Sequence, residues 1–221
     1  MEANLELPLD AEEVRVLACL MEKETTTPEY YPLTLNALVN ACNQKSSRDP
    51  IVNYDETTVR DALTRLRGKG LVLETTGGGH RVAKYSQRFS ERLNLGRREH
   101  AVLCELMLRG PQTPGELRSR AERMHSFADL EDVESCLRRL IEWPSGALAA
   151  RLPRQPGAKE SRCAHLLSGE VAVLTAEAEE PAAAAPSRDD RLRALEAEVQ
   201  SLHADIDELR REFALFRKQF E

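Results

Sequence analysis

The stretch DETTVRDALTRLRGKGLVLETTGGGHRVAKY, residues 55–85, joins a helix directly to a two-stranded ribbon. Asp55 suits an N-cap, Val59, Ala62, Leu63 and Leu66 recur at i, i+3, i+4 and i+7, and Gly68 or Gly70 ends the run. LVLE and HRVAKY then flank TTGGG, whose glycines supply the positive φ angles of a tight reversal. These glycines link two strands and no Gly-Lys-Ser/Thr follows them, so they are turn residues and not a phosphate-cradling loop.

Upstream, Asp10 followed by Glu13 reads as a capping box for a first helix carrying Val14, Leu17 and Met21, to about Thr25. Pro32 suits the first position of a second helix with Leu35, Leu38, Val39 and Cys42 as its apolar stripe, and NQKSSRDP ends it. Helix, helix, helix, hairpin is the winged-helix order. Tyr30 and Tyr31, just ahead of Pro32, are assigned to packing at the helix entry.

The same plan returns downstream. VRVLACLM (14–21) is echoed by HAVLCELM (100–107), and Asp55, Val59, Ala62, Leu63 and Leu66 by Asp129, Val133, Cys136, Leu137 and Leu140. The offset falls from 86 to 74 between these two matches, so the first copy holds 12 extra residues between its first and third helices. In the second copy a helix at about 97–109 closes with Gly110 and Pro111, Thr113 and Pro114 open the next, and ALAARL and RCAHLL flank a longer loop, PRQPGAKES. Trp143 should cover the end of this copy's core.

Composition limits the alternatives. Aromatic residues are 5% of a chain that is 41% hydrophobic, so the core must be built from Leu, Val and Ala, as in small helical domains. The five cysteines are widely spaced with no C-x-x-C pair, which argues for reduced thiols and against disulfides or a zinc site. MEANLELPLDAEE has neither a basic n-region nor an apolar h-region, and no run is apolar enough to span a bilayer; a cytoplasmic location without membrane contact is expected. The net charge of -6 is unevenly spread: -2 over residues 1–90, +1 over 91–170 and -5 over 171–221. A near-neutral body permits DNA binding, which needs only a local basic face.

TPEYYPLTLNALVNACNQKSSRDP, RGPQTPGELRSRAERMHSFADLEDVESCLRRL and PRQPGAKESRCAHLLSGE resemble the signature stretches of the YceH-like family of bacterial proteins, over roughly residues 8–170. The resemblance implies a tandem winged-helix fold and brings no established biochemical activity with it. One departure is the pair Cys163 and Ala164, where the family pattern has a larger side chain. The expected class is mainly α with small β-hairpin wings (α+β): a first winged-helix domain at 8–90, a second at 96–170, a flexible linker at 176–190 and a coiled-coil helix at 191–221.

That last helix has the most regular pattern in the chain. Leu192, Leu195, Val199, Leu202, Ile206, Leu209, Phe213, Phe216 and Phe220 alternate spacings of three and four. Leu, Val and Ile at a with Leu at d favour a parallel two-stranded coil, and Glu198, Asp205 and Glu212 at g face His203, Arg210 and Arg217 at e. A homodimer is expected. One helix packed back on the body is the alternative, and the three phenylalanines leave a trimer or an added partner open.

For function, the first copy's third helix turns Thr57, Arg60, Thr64 and Arg67 away from its core stripe, with Lys69 after it and His80, Arg81 and Lys84 on the wing. Arginine to guanine and threonine to phosphate are the chemistry of a groove-reading helix, so these eight residues form the candidate DNA contact; Asp61 is the discordant member. The second copy's third helix opens with Asp129, Glu131, Asp132 and Glu134, which repel phosphate, and its arginines lie elsewhere, at 118, 120, 123, 151, 154 and 162, with Lys159. Winged helices also bind proteins, and fold alone does not choose between the two partners. Catalysis is not expected: His100 and Cys104 share a helix face, but Cys104 and Cys136 match Ala18 and Ala62 of the other copy, as core fillers would. No cofactor, metal site or catalytic residue is assigned.

Overall fold

The computed structural model describes residues 8–77, 80–154, 157 and 160–169, apart from the side chains of Gly77, His80 and Arg81. The linker 176–190 and the heptad residues 192–220 lie outside the described residues.

The first copy runs α1 (Ala11–Thr26), a single 3-10 turn (Pro28–Tyr30), β1 (Leu33–Thr34), α2 (Leu35–Cys42), α3 (Glu56–Gly68), β2 (Val72–Gly77) and β3 (His80–Gln87). The strands form one antiparallel sheet in the order β1-β3-β2, with Tyr85 opposite both Leu33 and Glu74. After α4 (Phe89–Leu93) the second copy follows as α5 (Arg97–Arg109), α6 (Pro114–Ala121), α7 (Leu130–Ile141) and a hairpin of β4 (Ala149–Arg151) and β5 (Cys163–His165). The chain is therefore α+β, helices with small antiparallel sheets, and the order of three helices and a hairpin recurs in both halves.

Local chemistry accounts for the boundaries. The Asp10 carboxylate accepts from the Glu13 amide at 2.8 Å while Glu13 accepts from the Asp10 amide at 2.9 Å, the reciprocal cap expected from their spacing. Asp55 accepts from Thr58, Asp129 from Asp132, and Thr113 forms a second capping box with Glu116. Gly70, at φ +67°, turns the chain from α3 into β2 in a conformation a side chain would resist. The second helix starts later than expected. Pro32 is not its first residue; Thr34 caps it, because the preceding two residues are drawn into the sheet edge as β1, a strand too short to leave a periodic signal.

The two copies are not separate beads. In α1 the ten residues from Glu13 to Glu22 are all buried, and in α5 so are the ten from Glu99 to Leu108. A helix covered on every face must have neighbours all round. α1 packs on α2 and α3 on one side and on α5 on the other, while α5 packs on α1, α6 and α7. Cys104 Sγ lies 3.4 Å from the Ala18 carbonyl oxygen, so the residues related by the 86-residue offset meet across the junction. Further bonds join the halves at Leu9 to Leu167 (2.8 Å) and Asp49 to Leu108 (3.0 Å). One hydrophobic core runs through both. Trp143 is buried at its end, as expected, and Cys163 and Ala164 are also buried, small side chains fitting where β5 pairs with β4 and with Gln112.

Charge is buried at the junction as well. Glu22 and Glu105 are inaccessible, and between them sit Arg48, from the longer loop of the first copy, and Arg123, after α6. Arg48 donates to Glu22 (3.0 Å) and to the Ala41 carbonyl oxygen (2.9 Å); Arg123 donates to Glu105 (2.7 Å) and also pairs with Glu22 across the halves. Burial alone would raise the Glu22 carboxyl, but the hydrogen bond from Arg48 and the charges of Arg48 and Arg123 outweigh it and hold the group below the usual carboxylate range.

Leu17→Ala, at a fully buried position of α1, should cost about 2–5 kcal/mol. Urea unfolding followed by circular dichroism should show the described body melting in one transition, because neither half keeps its core without the other. Arg48→Ala should cost about 3–5 kcal/mol, since it strands most of the Glu22 charge in the interior.

Candidate nucleic-acid interface

Because Val59, Ala62, Leu63 and Leu66 are all buried, the opposite face of α3 is fixed in solvent: Thr57, Arg60, Asp61, Thr64 and Arg67 are exposed. Four of the eight expected DNA-contacting residues thus share one open row. Arg60 pairs with Glu56 one turn earlier, Arg67 pairs with Glu74 on β2, and the Thr64 hydroxyl donates to the Arg60 carbonyl oxygen at 2.9 Å. Both ion pairs are partly exposed, a class worth about 0–1 kcal/mol, so either arginine can exchange its carboxylate for a phosphate at low cost.

The remaining four stand differently. Lys69 is turned back toward α1, where its ammonium lies 2.8 Å from Glu13 and 3.3 Å from the Pro8 carbonyl oxygen. It leaves the row because the chain begins its reversal at Gly70. Lys84 is half-buried in the central strand, opposite Thr34 and Thr75. His80 and Arg81 open β3, and their side chains lie outside the described residues.

A groove of about 590 Å³ adjoins the row. Its walls are the start of α2 (Thr34, Leu35, Asn36), the start of α3 (Glu56, Arg60) and β3 (Val82, Ala83, Tyr85). Sequence reading missed the α2 contribution because it began that helix at Pro32; Thr34, the better cap, was the available signal. Val82 is 58% exposed and Leu73, on the neighbouring strand, 48%. Tyr31 packs, its hydroxyl accepting from the Gln87 amide at 2.7 Å, whereas Tyr30 is not a packing residue: it is 72% exposed on the 3-10 turn, where the chain swings it away from the core.

In the second half most of the charged side chains are paired with one another or with the backbone. Glu131 pairs with Arg138 (3.0 Å), Asp132 with Arg98 and Glu134 with Arg151. Arg118 donates to the Ala128 carbonyl oxygen (2.9 Å), Arg120 to Gln112 (2.8 Å), Arg162 to the Pro111 carbonyl oxygen (2.7 Å), and Arg123 belongs to the buried network. Arg154 is exposed, and Lys159 lies outside the described residues. Most of these arginines shape the fold, a role that scattered positions in a sequence do not reveal.

His100 is held between α1, α4 and α5. Its Nδ1 lies 2.8 Å from the Ser90 hydroxyl and its Nε2 3.0 Å from the Met21 carbonyl oxygen. The carbonyl can only accept, so Nε2 carries the proton and Ser90 donates to Nδ1. Burial lowers the His100 pKa, against the opposing effect of the Met21 bond. Cys104 is fully buried, and burial pushes its thiol well above the ordinary range, which leaves it a packing residue rather than a nucleophile. His165 is nearly buried with no partner for Nδ1, and desolvation brings its pKa down to about 4.

Fold and surface together define a two-module α+β body in which the α3 face is open and of mixed charge. The family model described as "Protein of unknown function, DUF480" matches residues 9–158. A UPF0502 protein of Solibacter usitatus is 55% identical over 96% of this chain and 98% of its own length, and one of Pelobacter propionicus 53% identical over 98% and 100%. A third, from Opitutus terrae, is 56% identical over 89% of this chain and 84% of its own. The chain belongs to this bacterial family. No helix among the described residues is long and apolar enough to cross a membrane.

Because the folded pKa of His165 is below its ordinary value of 6.5, its contribution is intact above pH 6.5 and is lost as pH falls toward 4. Between pH 7 and pH 5 the protein should lose about 2 kcal/mol from this residue. The difference between urea midpoints at the two pH values should shrink by about that amount in a His165→Leu variant, the buried His100 supplying part of what remains.

Proposed function

We propose that this protein is a cytoplasmic, homodimeric, tandem winged-helix protein that binds duplex DNA through the third helix and wing of its first module. The observation that carries the reading is the exposed row Thr57, Arg60, Thr64 and Arg67 on α3, beside a groove and next to the strand bearing Lys84. In such modules that helix enters the major groove and the wing follows the backbone. Arg60 and Arg67 supply bidentate donors, and their present partners, Glu56 and Glu74, are held only by surface pairs. The second module supports the first through the α1/α5 junction, its own third helix opening in carboxylates. The heptads from Leu192 to Phe220 support pairing of two chains, so a target site would be twofold symmetric.

The mixed charge of the row, with Glu56, Asp61 and Glu74 among the cations, limits the number of phosphates contacted. Titration of the full chain with duplex DNA should give a salt slope of about -2 to -3, far shallower than for a strongly basic protein. Arg60→Ala and Arg67→Ala together should weaken binding about tenfold or more without changing the urea midpoint. Absence of any binding at low salt would sink the reading. Sedimentation should give twice the 24.8 kDa chain mass, and Leu202→Glu, at a central d position, should return the monomer.

A second reading, a protein-binding module, is favoured by one observation. Leu73, Val82 and Tyr30 are large, exposed and apolar or aromatic, and Val82 borders the groove beside Arg60. A protein partner seated there would bind with weak salt dependence and would be lost on Val82→Asn, a neutral substitution that leaves phosphate contacts by Arg60 and Arg67 in place.

A further inference from the structure

The largest cavity described, about 670 Å³, lies away from the α3 row, between the short helix α4 of the first half and the last turns of α7 in the second. A cavity of this size suits a small molecule. Three guanidiniums line it: Arg92 from α4, and Arg138 and Arg139 from α7. Glu142 is the one carboxylate among the lining residues, so the cavity is cationic in a chain that is acidic overall.

Those guanidiniums hold donors in reserve. Arg92 gives one N–H to the Lys69 carbonyl oxygen at 2.6 Å. Arg138 pairs with Glu131 at 3.0 Å, both ends being more than half exposed, and Arg139 lies 3.5 Å from Glu99 and 5.5 Å over the Trp143 ring. Each guanidinium has five donors, so most remain for a ligand, and the Arg138 pair is of the weak surface class. Ser135 and Asn94 add neutral donors, while Leu93 and Trp143, both nearly buried, give an apolar floor.

We propose that this cavity binds a small phosphate-bearing ligand, its phosphate oxygens bridging Arg92 of the first half to Arg138 of the second. Guanidiniums supplied by two different helices match the several oxygens of one phosphate, which a single carboxylate cannot offer together. The site is an open cleft lined from both halves. It is also independent of the α3 face, since none of its residues belongs to that row.

The chain has a single tryptophan, and it lines the cavity, so its emission reports the site directly. Full-length protein is titrated with inorganic pyrophosphate, with citrate and with a blunt duplex, following Trp143 fluorescence. Pyrophosphate should give a saturable change. Arg138→Gln should weaken it about tenfold, the loss of one charge-assisted contact, and Glu142→Gln, which removes the opposing charge, should tighten it. Both positions are exposed, and unchanged urea midpoints would show that the fold is intact. The proposal is overturned if pyrophosphate produces no saturable change up to millimolar concentrations, or if Arg138→Gln binds it as tightly as the parent. Equal affinity for citrate would also overturn it, and so would a duplex that gives the same Arg138-dependent signal.

Discussion

The structure depends on α1 and α5 covering one another. Each is the first helix of its module, and each has ten consecutive residues buried. Their contact turns two small α+β units into a body with a continuous core, and it brings equivalent residues such as Ala18 and Cys104 face to face. The buried Glu22, Arg48, Arg123 and Glu105 network belongs to the same junction. Apolar packing supplies the stabilisation there, and the ionic groups add directional requirements that a slipped pairing of the two helices would leave unmet.

Holding α1 and α5 inside decides what is left outside. Each third helix packs on its own first helix, α3 on α1 and α7 on α5. Their surfaces then diverge by side-chain choice alone. On α3 the arginines stand in shallow pairs at the solvent boundary. On α7 the opening carboxylates are tied to Arg98, Arg138 and Arg151, and the helix becomes a strut whose far end helps to wall the cavity near α4. One backbone plan thus carries two unlike surfaces, and charge placement rather than fold separates their prospects for meeting a polyanion.

Much of this was legible before any coordinates. The caps at Asp10, Asp55, Thr113 and Asp129 have a local cause, a short acceptor next to orphan amides, and each stands where the sequence puts it. The inward stripes of α3 and α7 are equally local, which is why Thr57, Arg60, Thr64 and Arg67 were found on the open face. What escaped depends on residues far apart in the chain. Lys69 turns to Glu13, 56 residues away, and Arg123 to Glu22, 101 residues away, and no window along the sequence announces either pairing. β1 and α4 were missed for a different reason. Two residues and five residues are too few for a period to declare itself.

The loop between α2 and α3, residues 43–55, is longer than its counterpart in the second half and has an outcome that the sequence alone conceals. It delivers Arg48 into the interior and hooks Asp49 onto Leu108 of the other half, so a segment that looks like slack acts as a clasp. With that clasp in place the two units are no longer interchangeable: removing either would leave a buried ion of the other without its partner.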